Sequence, residues 1–307
     1  MKRFSFLRSA DVVTIGFITL ITIVESIYFP LLDRAPIFIL SNILFCTAIF
    51  FSARYTASSE QPNKVILLFR DWYLYAGILF IYMQASSIPY PIHGRDYDDI
   101  LISLDRMIFG GDPTRWIHQF AHPIITEILQ ISYSSYYFFY IALFIEFYRR
   151  GDRREFDSGS MLVVYAFYLS YVGYLLVPAI GPRFTLHNFS TIDTELPGLF
   201  LTEYLRMFIN SGGGVPIGAL DSLATVNRDT FPSGHTELTL TAIYLAFTLK
   251  AKIRWGLLVV GTLLIISTVY MRYHYVVDVM AGMLVFVFAV WSGKKIDRWW
   301  NDAIKNV

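Results

Sequence analysis

Eight apolar runs, each near the length of a membrane-crossing helix, punctuate this chain between polar stretches of unequal length. They are Val12 to Phe29, Pro36 to Phe51, Val65 to Gln84, Ile124 to Phe147, Met161 to Ile180, His235 to Leu249, Trp255 to Tyr270 and His274 to Trp291. A hydrocarbon core of about 30 Å takes roughly 20 apolar residues per helix, and in that medium the backbone must satisfy itself in helices or closed barrels. These runs have helical length, so the pattern predicts an all-α integral membrane protein with about eight transmembrane helices. The stretch from Trp255 to Trp291 is too long for one span. Its polar break, "MRYHY", predicts a tight turn around Met271 to Tyr273.

Composition agrees with the pattern. The 307 residues are 55% hydrophobic and 16% charged, with a mean hydropathy of +0.49, which is too apolar for an ordinary soluble domain. Basic residues then orient the spans, because short cytoplasmic loops are enriched in Lys and Arg. Lys2, Arg3 and Arg8, then Arg54 and Lys64, then Arg149, Arg150, Arg153 and Arg154, then Lys250, Lys252 and Arg254, and finally Lys294, Lys295, Arg298 and Lys305 all fall on one side. Both termini are therefore expected in the cytoplasm. The long loops Ala85 to Pro123 and Gly181 to Gly234 are expected at the periplasmic, extracellular or lumenal face. No small-x-small site follows the first run, so a retained helix is expected rather than a cleaved signal. The single Cys46 offers no disulfide or cysteine-metal framework. No nucleic-acid partner is expected.

Under that topology three distant segments meet at the outer face: "VPAIGPRF", "FPSGH" and "MRYHYVVD". They bring Arg183, His235, Arg272, His274 and Asp278 to one depth. His274 and Asp278 are four apart, which stacks two side chains on one helix face. Such a group suits phosphoryl transfer through a covalent histidine: His274 attacks phosphorus, Asp278 orients it, His235 protonates the departing oxygen, and Arg183 and Arg272 neutralise the phosphate oxygens. In "PSGH", Ser233 and Gly234 open a helix whose amides favour an anion. The scheme calls for no metal or other cofactor. His93, His118, His122 and His187 read as ordinary loop histidines, and Glu25, Arg70, Asp71, Glu127 and Glu146 as interhelical or snorkelling groups. The run "ISYSSYYFFY" reads as packing that can also line a lipid entrance. "DDILISLDRMIFGG" reads as a helix lying flat in the interface, and "LPGLFLTEYLRMFI" as a short amphipathic helix followed by a glycine hinge.

At these residues the chain resembles the type 2 phosphatidate phosphatase superfamily. Pro232 to His235 match its "PSGH" element, and His274 with Asp278 match the core of its third motif. The resemblance implies that His274 is the nucleophile, Asp278 its orienting partner and His235 the acid. Its first motif differs here, with Leu176 in the lysine position and Phe184 after Arg183. Thr268 stands where the third motif has arginine, and Arg272 offers a substitute. "YMRYHYVVDVMAG", with "LDRMIFGGDPTRW" upstream, is similar to the branch containing inositol phosphorylceramide synthases and their bacterial relatives, which includes transferases as well as phosphatases. The resemblance implies N-terminal transmembrane helices and an interfacial helix over 1–123, a six-helix-type phosphatase or phosphotransferase core over 124–295, and a cytoplasmic tail over 296–307. Three functions stand open: a phosphatase acting on a lipid phosphate among membrane lipids, a phosphotransferase passing the phosphoryl-linked headgroup to an alcohol acceptor, and a non-enzymatic lipid binder or transporter.

The orientation is directly testable. Single cysteines replacing Arg153 and Ser190 are expected to react with a membrane-impermeant maleimide from opposite sides of sealed vesicles. Labelling from one side would overturn the shared outer face.

Overall fold

The computed structural model describes residues 4–219 and 221–305. Lys2 and Arg3 of the basic set and residues 306–307 of the expected tail lie outside the described residues. Among the described residues the chain is helical with no strand. Each expected apolar run is helical over most of its length: α1 Ser9–Ile27, α2 Ala35–Ser58, α3 Lys64–Ser87, then, after the loop helix α4 Asp98–Phe109, the pair α5 Pro123–Ser134 and α6 Tyr136–Arg150, then α7 Arg153–Leu176. A loop helix, α8 Thr202–Gly212, precedes α9 Gly234–Thr248, α10 Arg254–Tyr270 and α11 Val276–Lys305.

Among the described residues, five helices are long and apolar enough to cross a membrane, and the α5–α6 pair makes a sixth if it is one bent span. Helices α9 and α10, of 15 and 17 residues, measure roughly 23 and 26 Å at 1.5 Å per residue, short of a hydrocarbon core of about 30 Å. The run expected as one helix from Ile124 to Phe147 is bent by 48° at Ser135. The serines explain it. The hydroxyls of Ser132, Ser134 and Ser135 donate to the carbonyls of Ile128, Gln130 and Ser132 at 2.8, 2.9 and 2.6 Å, competing with the backbone ladder where the helix breaks.

One hydrophobic core takes side chains from α1 to α3 as well as from α6, α7 and α9 to α11, so the first three helices pack directly on the rest. At one end of the bundle, buried Arg70 makes a two-pronged ion pair with Asp11 at 2.8 and 2.7 Å, and Asp71 pairs with Arg8 and Arg153. Arg70 and Asp71 are interhelical, as the sequence led us to expect. Helix α11 continues past Trp291 through the stretch expected as a tail. There it docks on the chain's start, with Trp300 Nε1 donating to the Leu7 carbonyl at 2.9 Å and Ser9 donating to Asp297 at 2.5 Å.

At the opposite end the loops are held by carboxylates. Asp98, on α4, accepts the N–H groups of Ile180 and Gly181 at 3.0 and 2.8 Å and the Tyr275 hydroxyl at 2.8 Å. Asp105, two turns further along α4, accepts the N–H groups of Val276 and Val277 at 3.0 and 2.8 Å, at the start of α11. Burial pushes both carboxyls up from the ordinary range, and these donors pull them back. Helix α4 thus ties the strand of chain before Arg183 to the one after His274. Glu127, on α5, accepts the N–H groups of Leu199, Phe200, Leu201 and Thr202 and the Thr202 hydroxyl, anchoring the start of α8.

Replacing Asp105 by alanine strips two helix-start donors of their acceptor, and a buried donor left unpaired costs about 1–3 kcal/mol. Asp105→Ala is therefore expected to unfold at lower temperature in detergent by several degrees, while Asp99→Ala, on the exposed side of α4, does not. Equal melting of the two variants would contradict the clamp.

Candidate active site

The turn after α10 is tight, as the "MRYHY" break led us to expect. The N–H groups of Tyr273 and His274 both donate to the Thr268 carbonyl at 2.9 Å, and Arg272 adopts a left-handed φ of 65°, a conformation uncommon for a side chain of this size. That backbone turn sends the Arg272 and His274 side chains to different places. His274 enters the loop before α9. Its Nδ1 lies 2.9 Å from the Thr230 carbonyl and 3.5 Å from Asp278 Oδ2. A carbonyl only accepts, so Nδ1 carries the proton and Nε2 keeps its lone pair. Nε2 faces His235 Nδ1 at 3.5 Å. Burial of the His274 ring pushes it down to about 4, against the pull of Asp229 and the Thr230 carbonyl, so the ring is neutral at pH 7.

Asp278 is fully buried, and its Oδ2 accepts the Tyr275 N–H at 2.8 Å. It caps the first turn of α11 while lying beside His274. The nearest acceptor for the His274 ring is thus a backbone carbonyl, with the carboxylate behind it. Thr230 and Asp229 were not singled out from sequence. Asp229 takes the Tyr82 hydroxyl from α3, and its charge reaches His274. Their only sequence signal is proximity to "PSGH".

His235 sits on the first turn of α9. Tyr133 stacks on its ring at 4.5 Å between centroids, and Tyr136 lies tilted against it at 4.6 Å. The aromatic run at the Ser135 bend therefore packs on the histidine itself. Ser233 is buried and accepts the Thr236 N–H at 3.3 Å as the helix cap, and its own N–H donates to the Asp278 carbonyl at 2.9 Å. Gly234 is required by a close neighbour: a Cβ there would meet the Tyr174 hydroxyl at 2.3 Å. Gly282 plays the matching part on α11, where a Cβ would lie 2.5 Å from the Ser233 carbonyl oxygen. Ser233 and Gly234 thus shape the turn that carries His235, with Ser233 as the N-cap and Gly234 as the first residue of α9.

Arg183 joins the pair. Its N–H donates to the Arg272 carbonyl at 3.0 Å, its guanidinium packs over Tyr273 at 5.1 Å and Phe184 at 4.8 Å, and Nη1 donates to Asn210 of α8 at 2.7 Å. Its positive charge acts on His274. The Arg272 guanidinium turns away, to Glu195 at 2.5 Å and His118 at 3.2 Å. So the structure brings together His235, His274, Asp278 and Arg183, and holds Arg272 in a neighbouring pocket. Among the described residues, no group of three or more His, Cys, Asp or Glu side chains is placed to hold a metal ion.

An apolar helical bundle that gathers two facing histidines and an arginine in its loops defines a class of membrane protein with a histidine-centred site. The chain matches the family described as the PAP2 superfamily over residues 99–292, and it belongs to that superfamily. The match begins ahead of Ile124 and so includes most of α4, the helix that ties the site loops together. Membership points to phosphatase or phosphotransferase activity on phosphate esters. A PA-phosphatase related-family protein of Dictyostelium discoideum is 23% identical over a 328-residue alignment covering 95% of this chain. The chain spans 57% of that relative's length. No solved structure matches.

Proposed function

We propose that this protein is a membrane lipid phosphatase that hydrolyses a lipid phosphate monoester or diphosphate at the outer face, through a phosphohistidine. The observation that carries the reading is the 3.5 Å approach of His274 Nε2 to His235 Nδ1, with the His274 tautomer set by the Thr230 carbonyl. His274 Nε2 attacks phosphorus as the ester P–O bond breaks, and His235, brought to its protonated form by the negative charge of the substrate phosphate beside it, gives its proton to the departing oxygen. His235, now neutral, takes a proton from water. The water oxygen attacks phosphorus, the N–P bond breaks, and inorganic phosphate leaves with His274 restored. Arg183 offsets the charge on the non-bridging oxygens, and its two-pronged fork suits them. Asp278 supports the charge that develops on the His274 ring, through the short space between Nδ1 and its carboxylate.

The second reading, a lipid headgroup phosphotransferase, uses the same first step with an alcohol in place of water. The "MRYHYVVD" pattern favours it, being similar to the synthase branch. A panel of lipid phosphates supplied with and without alcohols separates the two by product: free phosphate or a new headgroup lipid. Both readings give every step to side chains of this protein, so activity is expected to survive EDTA, and vanadate is expected to inhibit as a five-coordinate phosphorus mimic.

The two histidines have separable roles. General acid help is worth about 10²- to 10⁴-fold and matters less for a good leaving group. With p-nitrophenyl phosphate, His235→Ala is expected to recover a large part of that loss relative to a lipid alkyl phosphate, while His274→Ala stays inactive on both. Equal rescue of both variants would reverse or remove the assigned roles.

A further inference from the structure

Around the Arg272 side chain lies a cavity of about 270 Å³, lined by Arg115, His118, Leu186, His187, Asn188, Glu195 and Arg272. None of these residues takes part in the chemistry above. Ligand sites for drug-sized molecules run from about 300 Å³ upward, so this volume fits a headgroup and excludes acyl chains.

Its arginines are paired, but by carboxylates that are not equally fixed. Arg272 is held by the Glu195 carboxylate and exposed Arg115 by Asp112 at 3.4 Å, and burial and the neighbouring arginines push His187 down to about 4, so the cavity's histidine adds no charge that would offset either arginine's partner. Arg272 is the centre of the cavity's wall. Its side chain is 1% exposed, Nη1 pairs with Glu195 and Nη2 with His118, and Nε is buried with no partner. A buried arginine without its full set of acceptors is costly to maintain. The strained left-handed backbone at Arg272 holds it there all the same. Glu195, by contrast, is 36% exposed and sits in a one-turn loop helix, Ile192–Glu195, so its carboxylate can leave. Arg115 reaches over from the other side, anchored by the Leu186 carbonyl at 3.0 Å, and the Thr114 hydroxyl lies 3.0 Å from His187 Nε2.

We infer that this cavity is a second binding site for a phosphate-bearing headgroup, in which the phosphate takes the place of the Glu195 carboxylate on Arg272 and is closed in by Arg115. Two oxygens of a phosphate match the arginine fork as a carboxylate does, and carry more charge. His118, His187 and Asn188 then remain for hydroxyl or ester oxygens. Arg272 and His274 lie two residues apart on one tight turn with diverging side chains, so one turn carries both sites. The inference deepens the phosphate-ester reading and rests on it for the choice of anion.

The test is equilibrium dialysis of the purified full-length chain in detergent against ³²P-labelled inorganic phosphate. Wild type is expected to bind two phosphates per chain. Arg115→Glu removes one, and Arg183→Ala removes the other. Glu195→Gln, which withdraws the resident competitor, tightens the Arg115-dependent phosphate by about tenfold, the scale of one charge-assisted hydrogen bond. Glycerol 3-phosphate and phosphatidic acid in mixed micelles are then compared as displacers: loss of label to the first alone assigns a soluble ester, and loss to the second a lipid headgroup. Phosphate binding unchanged in both Arg115→Glu and Glu195→Gln would overturn the second site. If Arg183→Ala alone leaves binding unchanged, the phosphate role given to Arg183 fails while the second site stands.

Discussion

The active end of this molecule depends on what becomes of backbone N–H groups where the chain leaves a helix beside an apolar bundle. Little water reaches such positions, and an unpaired donor there is costly. Asp98, Asp105 and Glu127 supply the acceptors. Because Asp98 and Asp105 share α4, one short helix fixes both the approach to Arg183 and the departure from His274. The same need explains Asp278, which pairs with the first N–H of the α11 segment while standing beside the histidine.

That scaffold has a chemical consequence. Holding the start of α11 fixes the tight turn before it, and the turn aims His274 Nδ1 at the Thr230 carbonyl. The tautomer is thereby chosen by backbone, and the free nitrogen points to His235. Small residues let the elements close to this distance, since Gly234 makes room for Tyr174 and Gly282 for the Ser233 carbonyl. A base with its lone pair directed at a second titratable ring, beside the Arg183 guanidinium, is the arrangement on which the proposed reaction rests.

Much of this was legible in the sequence because it is local. Apolar run length marked each major helix and the polar "MRYHY" interval marked the turn, while His274 and Asp278 approach to 3.5 Å with His274 in the turn ahead of α11 rather than on a shared helix face. The helical pattern of "DDILISLDRM" was legible too, but not its task, since Asp98 and Asp105 act on residues more than 80 and 170 positions away. Nothing in a one-dimensional pattern pairs a carboxylate with amides at that distance. The bend at Ser135 was hidden because apolar periodicity runs through it, although three closely spaced serines are a recognisable competitor for helix hydrogen bonds. Arg272 could be placed near the site by its position in the chain. Its direction depends on a left-handed backbone that residue type does not announce.

The central claim is that His274 is the nucleophile and that the Thr230 carbonyl and Asp278 hold its reactive nitrogen ready. It is tested most directly by acid-free quenching of a single turnover with ³²P-labelled lipid phosphate, followed by proteolysis at alkaline pH and mass spectrometry of the labelled peptide. The account predicts an acid-labile, alkali-stable phosphate on His274, absent in His274→Ala and accumulating in His235→Ala with a good leaving group. Label on His235, or turnover of His274→Ala at the wild-type rate, would contradict it.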